Sequence, residues 1–214
     1  MGAFIAGILI FIAFIVLIRH RKRKRTQHRE QLIDSYRFPD RISEKLKQSY
    51  PHLTDENIAQ VIQGLREYFH ICNMAGKRRM VAMPSQVVDL AWHEFILFTR
   101  HYELFCKQAL GRFLHHTPAE AMQSPTQAQD GIKRAWRLAC TREGINPESP
   151  ARLPLLFALD ANLGIKDGFT YVLNCKKLAD NGYCASHIGC GGGCSGGCGG
   201  DSDSGCSGGG CGGD

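Results

Sequence analysis

Apolar positions recur every three or four residues over most of the chain, which is the pattern of amphipathic helices. The longest stripe predicts one helix from about Gln86 to Leu110, ended by Gly111. The face expected in the core consists of Val88, Trp92, Phe95, Thr99, Tyr102, Cys106 and Ala109. The opposite, solvated side is expected to carry Glu94, His101 and Gln108.

The same periodicity predicts further helices on either side of this stretch. They cover about residues 42–50, 55–73, 128–143 and 153–163, and a short one begins at Thr117 and Pro118. Thr54 and Ser85 are the predicted N-caps of the second and central helices. Residues 169–173 alternate as an extended segment would, but one strand without a visible partner makes no sheet. The sequence predicts an all-α fold with a compact bundle of five or six helices over residues 40–183.

The N-terminal residues depart from this pattern because no charged side chain interrupts Ala3 to Ile18. As a helix this run reaches about 24 Å, which is short but adequate to span a bilayer. The basic run RHRKRKR follows it, the reverse of the charge order in a cleaved signal peptide. We expect a transmembrane anchor over residues 1–18 and a basic juxtamembrane stalk over residues 19–39. The positive-inside rule then places the N-terminus outside and the remaining chain in the cytoplasm.

The net charge of +6 comes from one short segment of the chain. Six basic residues of the juxtamembrane run account for all of it: Arg19, Arg21, Lys22, Arg23, Lys24 and Arg25. The balanced remainder lacks the electrostatic footprint of a nucleic-acid-binding protein. A nuclear-targeting patch is the alternative for the run itself, but its position beside an apolar span favours contact with the lipid bilayer and its anionic headgroups. A membrane protein is a further expected partner.

The last 31 residues, 184–214, are dominated by glycine and cysteine. Few apolar side chains remain to offset the entropy of ordering glycine, so we expect a disordered tail. Cys190, Cys194 and Cys198 follow one another at intervals of four and are candidate thiolate ligands for a metal. A flexible tail without a metal is the favoured alternative, because the spacing does not form two CxxC pairs.

Asp89 and His93 are the chief chemical candidates because residues four apart share one flank of a helix. His115 and His116 follow the predicted helix end and can fold back toward them. These four residues are the candidate ligands for zinc or another transition metal. The favoured alternative is structural: Asp89 accepts a hydrogen bond from His93 or Trp92, and the histidine pair caps a loop.

Trp92 and Tyr102 are candidate binding residues, although their place in the apolar stripe favours the core. Cys72, Cys106 and Cys140 also lie on apolar faces and are expected to be buried. No catalytic residue is assigned, since neither a nucleophile elbow nor a phosphate-binding loop is present in the sequence. A binding or interaction module is therefore preferred over an enzyme, with a metal-dependent enzyme as the alternative.

The pattern VDLAWHEF, the following FLHH, and the later AWRLAC and LPLLFALD resemble the uncharacterised glycine-rich domain-containing protein family. The resemblance covers about residues 83–175. Its matching positions are Asp89, Trp92, His93, Tyr102, Cys106, Gly111, His115, His116 and Pro118. It implies a shared fold and pocket, a membrane anchor and Gly/Cys-rich tail as in bacterial members, and hence the bacterial inner (cell) membrane. The family often has a second histidine two places after the first, where this chain has Phe95.

Overall fold

The computed structural model describes residues 2–76, 79–116, 125–173, 183–184 and 188, with backbone only for 2–8, 10, 125–127, 183 and 184. Its helices are α1 (Gly2–Ser35), α2 (Asp40–Ser49), α3 (Asp55–Ala75), α4 (Gln86–Leu97), α5 (Thr99–Phe105), a π-helical turn (Cys106–Leu110), α6 (Pro125–Glu143) and α7 (Leu155–Asn162). The predicted all-α class is confirmed. The short helix predicted at Thr117 and the tail cysteines Cys190, Cys194 and Cys198 lie outside the described residues.

Helix α3 is central and packs against α1, α2, α4, α6, α7 and the π-helical turn. Its start is fixed as predicted by Thr54, whose side chain accepts a hydrogen bond from Asn57 N while the Asn57 side chain bonds the Thr54 N–H. Gly64 lets α4 and α7 approach, because a Cβ there would lie 2.9 Å from Val88 and 2.5 Å from Leu159. The glycine therefore sets how closely α4 lies against the domain centre.

Helix α1 ends inside the domain core. Ile33 is fully buried, and just beyond the helix the Phe38 ring packs edge-on against Phe95 of α4 while the Tyr36 ring packs against it at a tilt. Farther toward the N-terminus, the described apolar side chains of α1 from Leu9 to Ile18 are exposed, except for the half-buried Ile15. Within the described residues, no helix has a stretch long and apolar enough to cross a membrane.

The extended segment predicted around Phe169 to Leu173 has a partner that the sequence did not reveal. Tyr171–Val172 (β1) pairs in parallel with Tyr183–Cys184 (β2), so the end of the described domain closes with a two-residue ladder. A partner strand of only two residues is too short to show an alternating pattern of its own, which is why the pairing could not be predicted.

The predicted continuous helix from Gln86 to Leu110 is interrupted. Helix α4 stops at Phe98, whose φ of −82° and ψ of 59° leave the helical region, and α5 restarts at Thr99. Gly111 does end the segment, in the left-handed conformation at φ 67°. Thr99, directly after the interruption, is exposed, and Glu94 within α4 is buried, the reverse of the prediction for both.

Candidate functional site

Helix α4 presents Asp89 and His93 together, as their spacing predicts. His93 Nδ1 lies 3.4 Å from Asp89 Oδ2, and the two side chains are 48% and 22% exposed. Ser85 caps this helix by accepting a hydrogen bond from Val88 N at 3.3 Å. The pair therefore projects from the N-terminal half of a capped helix, on its solvent-accessible side.

His116 completes the cluster from the segment that follows Gly111. Its Nε2 lies 3.0 Å from Asp89 Oδ1, and its ring centre is 4.1 Å from that of His93. The ligand atoms of Asp89, His93 and His116 all lie within 4.8 Å of one another. His93 and His116 are 23 residues apart in the chain, and both lie close to the Asp89 carboxylate.

His115 is not part of this cluster. Its ring packs against Phe113 with the centres 4.8 Å apart, and the side chain is exposed. Successive residues of an extended segment point to opposite sides, so only one histidine of the pair can face Asp89. Of the four predicted ligands, the structure brings three together and places His115 elsewhere.

The interruption at Phe98 has a direct consequence for the two candidate binding residues. Trp92 Nε1 donates a hydrogen bond to the Tyr102 hydroxyl at 3.1 Å. In a straight helix these residues would be separated by about 15 Å along the axis, too far for their side chains to meet. Both are buried, which supports the core interpretation. Trp92 therefore donates to Tyr102 and not, as one alternative had it, to Asp89.

Asp160 is a buried carboxylate that sequence reasoning did not single out. From α7 it accepts hydrogen bonds from the Ser85 hydroxyl at 2.7 Å, Gln86 N at 2.7 Å and Phe169 N at 2.9 Å. A negative charge at the N-terminal end of α4 is stabilised by the free N–H groups and the helix dipole. The only available signal was an aspartate in the otherwise apolar run LPLLFALD. Asp160 thereby fixes the helix end one turn before Asp89.

The groups behind the cluster are held in their neutral forms. Burial raises the pKa of the Tyr68 and Tyr102 hydroxyls well above the usual value. Burial likewise raises the pKa of the Cys72 thiol to about 12 and that of Cys106 above its ordinary value. Cys72, Cys106 and Cys140 are buried as predicted, and a thiol that stays protonated is a poor nucleophile.

Two imidazoles and one carboxylate form a donor set suited to zinc or to iron(II). In a tetrahedral zinc site with metal–ligand bonds near 2.0–2.1 Å, neighbouring ligand atoms are about 3.3 Å apart. His116 lies 3.0 Å from Asp89 Oδ1 and His93 lies 3.4 Å from the other carboxylate oxygen, Oδ2, so each histidine is at about that distance from one of the two oxygens. With one ligand atom taken from each residue, the three atoms lie within 4.8 Å of one another. The half-exposed His93 leaves one side of the cluster open to solvent.

The described fold and site define a helical protein with an Asp–His–His cluster between α4 and the segment after Gly111. The chain belongs to the UCP032817-like family, whose model matches residues 28–191 and so includes all three cluster residues. This family match says nothing about the glycine-rich character or the bacterial membrane anchor that the resemblance implied. No curated protein matches the chain, and no solved structure matches it either.

Proposed function

We propose that this protein is a membrane-anchored binding module whose helical domain holds a divalent transition metal, zinc in the first instance, at Asp89, His93 and His116. The observation that carries the proposal is the convergence of three ligand atoms within 4.8 Å from two separate segments. Zinc is commonly held by three protein ligands when its remaining position is left to water or substrate.

The exposure of the cluster distinguishes a structural from a catalytic type of zinc site for this proposal. A structural zinc site is closed by four protein ligands, whereas the described residues supply three here and leave 48% of the His93 side chain exposed. An exchangeable water would occupy the remaining position. That feature favours a metal-dependent enzyme as the second candidate function, because a metal-bound water is a nucleophile at neutral pH.

A metal-free interpretation competes with this proposal. Asp89 accepts a hydrogen bond from His116 and lies near His93, so the carboxylate is also suited to bridging two imidazoles without a metal. In that case the cluster would only fasten the segment after Gly111 to α4. Metal stoichiometry separates the two interpretations, since the structural one requires no bound ion.

The proposed anchor rests on the apolar run and on the surface of α1. Described side chains of this helix are large, apolar and exposed, among them Phe11 at 63% and Phe14 at 58%. Such a helix is stable in water only when something apolar covers it, and a bilayer followed by the basic run supplies that cover and its anionic headgroups. We infer a single-pass protein with the helical domain in the cytoplasm, where a membrane protein partner would meet it.

The test is metal binding by the full-length protein in detergent, with the tail cysteines changed to serine so that they cannot contribute. We expect one cobalt(II) or zinc ion per chain, and a cobalt spectrum without the sulfur-to-cobalt charge-transfer band that thiolate ligands give. Asp89→Ala should abolish binding. A protein that retains no stoichiometric metal after dialysis against zinc would overturn the proposal.

A further inference from the structure

The Tyr102 hydroxyl lies between two buried partners. It accepts the Trp92 Nε1 hydrogen bond at 3.1 Å and donates its own proton to the Leu114 carbonyl at 2.5 Å. Tyr102 and Trp92 are almost fully buried. A buried polar group that loses its partner costs about 1–3 kcal/mol, so this chain of hydrogen bonds strongly favours one arrangement.

Leu114 makes a second contact, with the π-helical turn that follows α5. The Leu114 backbone also hydrogen-bonds the Cys106 thiol, which belongs to the π-helical turn. Just before it, Arg112 donates to the Cys72 carbonyl of α3 at 3.3 Å. The segment after Gly111 is therefore fastened to α3, α5 and the π-helical turn immediately before it reaches His116.

Trp92 links this hydrogen-bond chain directly to the cluster. The indole that donates to Tyr102 also packs edge-on against the His116 ring, with the centres 4.6 Å apart. His116 is thus confined from two directions: its backbone follows the anchored Leu114, and its ring lies between Trp92 and His93.

We propose that Tyr102 is a positioning residue that holds His116 in place against Asp89 through its hydrogen bond to Leu114. Its effect on a metal rests on the proposed function above. Tyr102 itself touches none of the three ligands in the described contacts, so it acts through the backbone between Leu114 and His116 and through Trp92, which packs on the His116 ring. Partners of this kind typically change metal affinity by about 10- to 100-fold when removed.

The test compares Tyr102→Phe with Tyr68→Phe in the full-length protein. Tyr68 is an equally buried tyrosine whose hydroxyl donates to the Val81 carbonyl at 3.0 Å, and none of its described hydrogen bonds reaches residues 112–116. Both variants lose one buried hydroxyl and a comparable amount of stability. We expect zinc affinity to fall about 10- to 100-fold in Tyr102→Phe and to stay within about threefold of the original in Tyr68→Phe. Equal affinities in the two variants would overturn the proposal.

A metal-free readout separates this inference from the proposed function. Hydrogen exchange at the Leu114 and His116 amides should be faster in Tyr102→Phe than in Tyr68→Phe once both rates are corrected for global stability. If the original protein binds no zinc but this difference is observed, the positioning role stands and the metal site fails. Identical exchange in both variants counts against the positioning role. Should Tyr102→Phe not fold, Trp92→Phe removes the indole donor and must accelerate exchange at the same two amides.

Discussion

Asp160 accepts a hydrogen bond from the Ser85 hydroxyl at 2.7 Å, although 75 residues separate them in the chain. The same carboxylate accepts the Gln86 and Val87 N–H groups, so α7 supplies the negative charge at the start of α4. A Cβ on Gly168 would lie 2.6 Å from the Asp160 Cβ, which keeps this approach open only to glycine. The helix that carries Asp89 and His93 is therefore fixed by a residue far from it in sequence.

Asp160→Ala should be among the most destabilising single changes in the chain. It leaves the buried donors of Ser85 and Val87 and the half-buried N–H of Gln86 without their acceptor, and we expect the free energy of unfolding to fall by about 3 kcal/mol. The exposed Asp167 is the matched control, and Asp167→Ala should change stability by less than about 0.5 kcal/mol. Urea unfolding measures both; similar losses would argue against the capping role.

Gly111→Ala should cost more than Gly144→Ala. Both glycines have nearly the same left-handed backbone, with φ of 67° and 65°, so both substitutions carry a conformational cost of about 1 kcal/mol. A Cβ at Gly144 would meet nothing within 4 Å, whereas one at Gly111 would meet the Arg29 guanidinium. The excess cost is small and measures what it takes to move the flexible Arg29 guanidinium away from this turn.

The excess at Gly111 should disappear when Arg29 is shortened. In the Arg29→Ala background, Gly111→Ala should cost no more than Gly144→Ala, and a double-mutant cycle of urea midpoints gives the coupling. An excess that survives the loss of the Arg29 side chain would place the clash elsewhere.

Metal affinity should depend on His116 but not on its neighbour His115. His116→Ala removes a ligand atom that lies 3.0 Å from Asp89, and zinc affinity should fall by more than the roughly 100-fold typical of losing an outer-shell partner. His115→Ala changes only an exposed ring on Phe113 and should leave affinity unaltered. Calorimetric titration with zinc checks the pair, and a loss of affinity in His115→Ala would show that the wrong histidine has been assigned.

Stability should decline in alkaline solution because the folded protein holds its buried thiols neutral. Burial raises the pKa of Cys72 to about 12 from an ordinary value of 9.0. Below pH 9 this thiol is neutral in both states. Above it the unfolded chain loses the proton first, so stability falls until the pH passes about 12, by up to about 1.4 kcal/mol per pH unit.

Urea unfolding of Cys72→Ala against the original protein isolates this contribution. The variant should show a shallower decline with rising pH, whatever its stability at neutral pH. Parallel declines in the two proteins would mean that Cys72 does not contribute.

The proposed orientation should depend on the basic run beside the apolar segment. Neutralising Arg21, Lys22 and Arg23 with glutamine should increase the fraction of chains with the C-terminus outside, as read by a reporter fused after Asp214. The matched triple change of Arg41, Lys45 and Lys47, which lie more than about 20 residues beyond the span, should leave orientation unchanged. A reporter active only outside the cytoplasm in the original protein would reverse the assigned topology.

Local patterns account for most of what could be predicted. The caps at Thr54 and Ser85, the helix end at Gly111 and the meeting of Asp89 with His93 each depend on residues within four positions of one another. Such features follow from helix geometry and hydrogen bonding of the nearest backbone groups, which a sequence pattern reports directly.

The choice between His115 and His116 could not be made in this way. It depends on how the segment after Gly111 leaves the helix, and that path is set by the bond from Tyr102 to Leu114. The interruption at Phe98 could not be predicted either, because it too depends on a tertiary contact. The stripe of apolar residues fits a straight helix, but the buried hydrogen bond between Trp92 and Tyr102 requires the chain to bend.

By itself the sequence determined the helical class, the capped starts of α3 and α4 and the flank that carries Asp89 and His93, because these depend on contacts along one helix. Only the tertiary structure decided that His116 joins them, that Asp160 fixes the start of α4 and that Trp92 bonds to Tyr102. The physical reason is that these contacts are made between parts of the chain whose relative position depends on packing of the whole core.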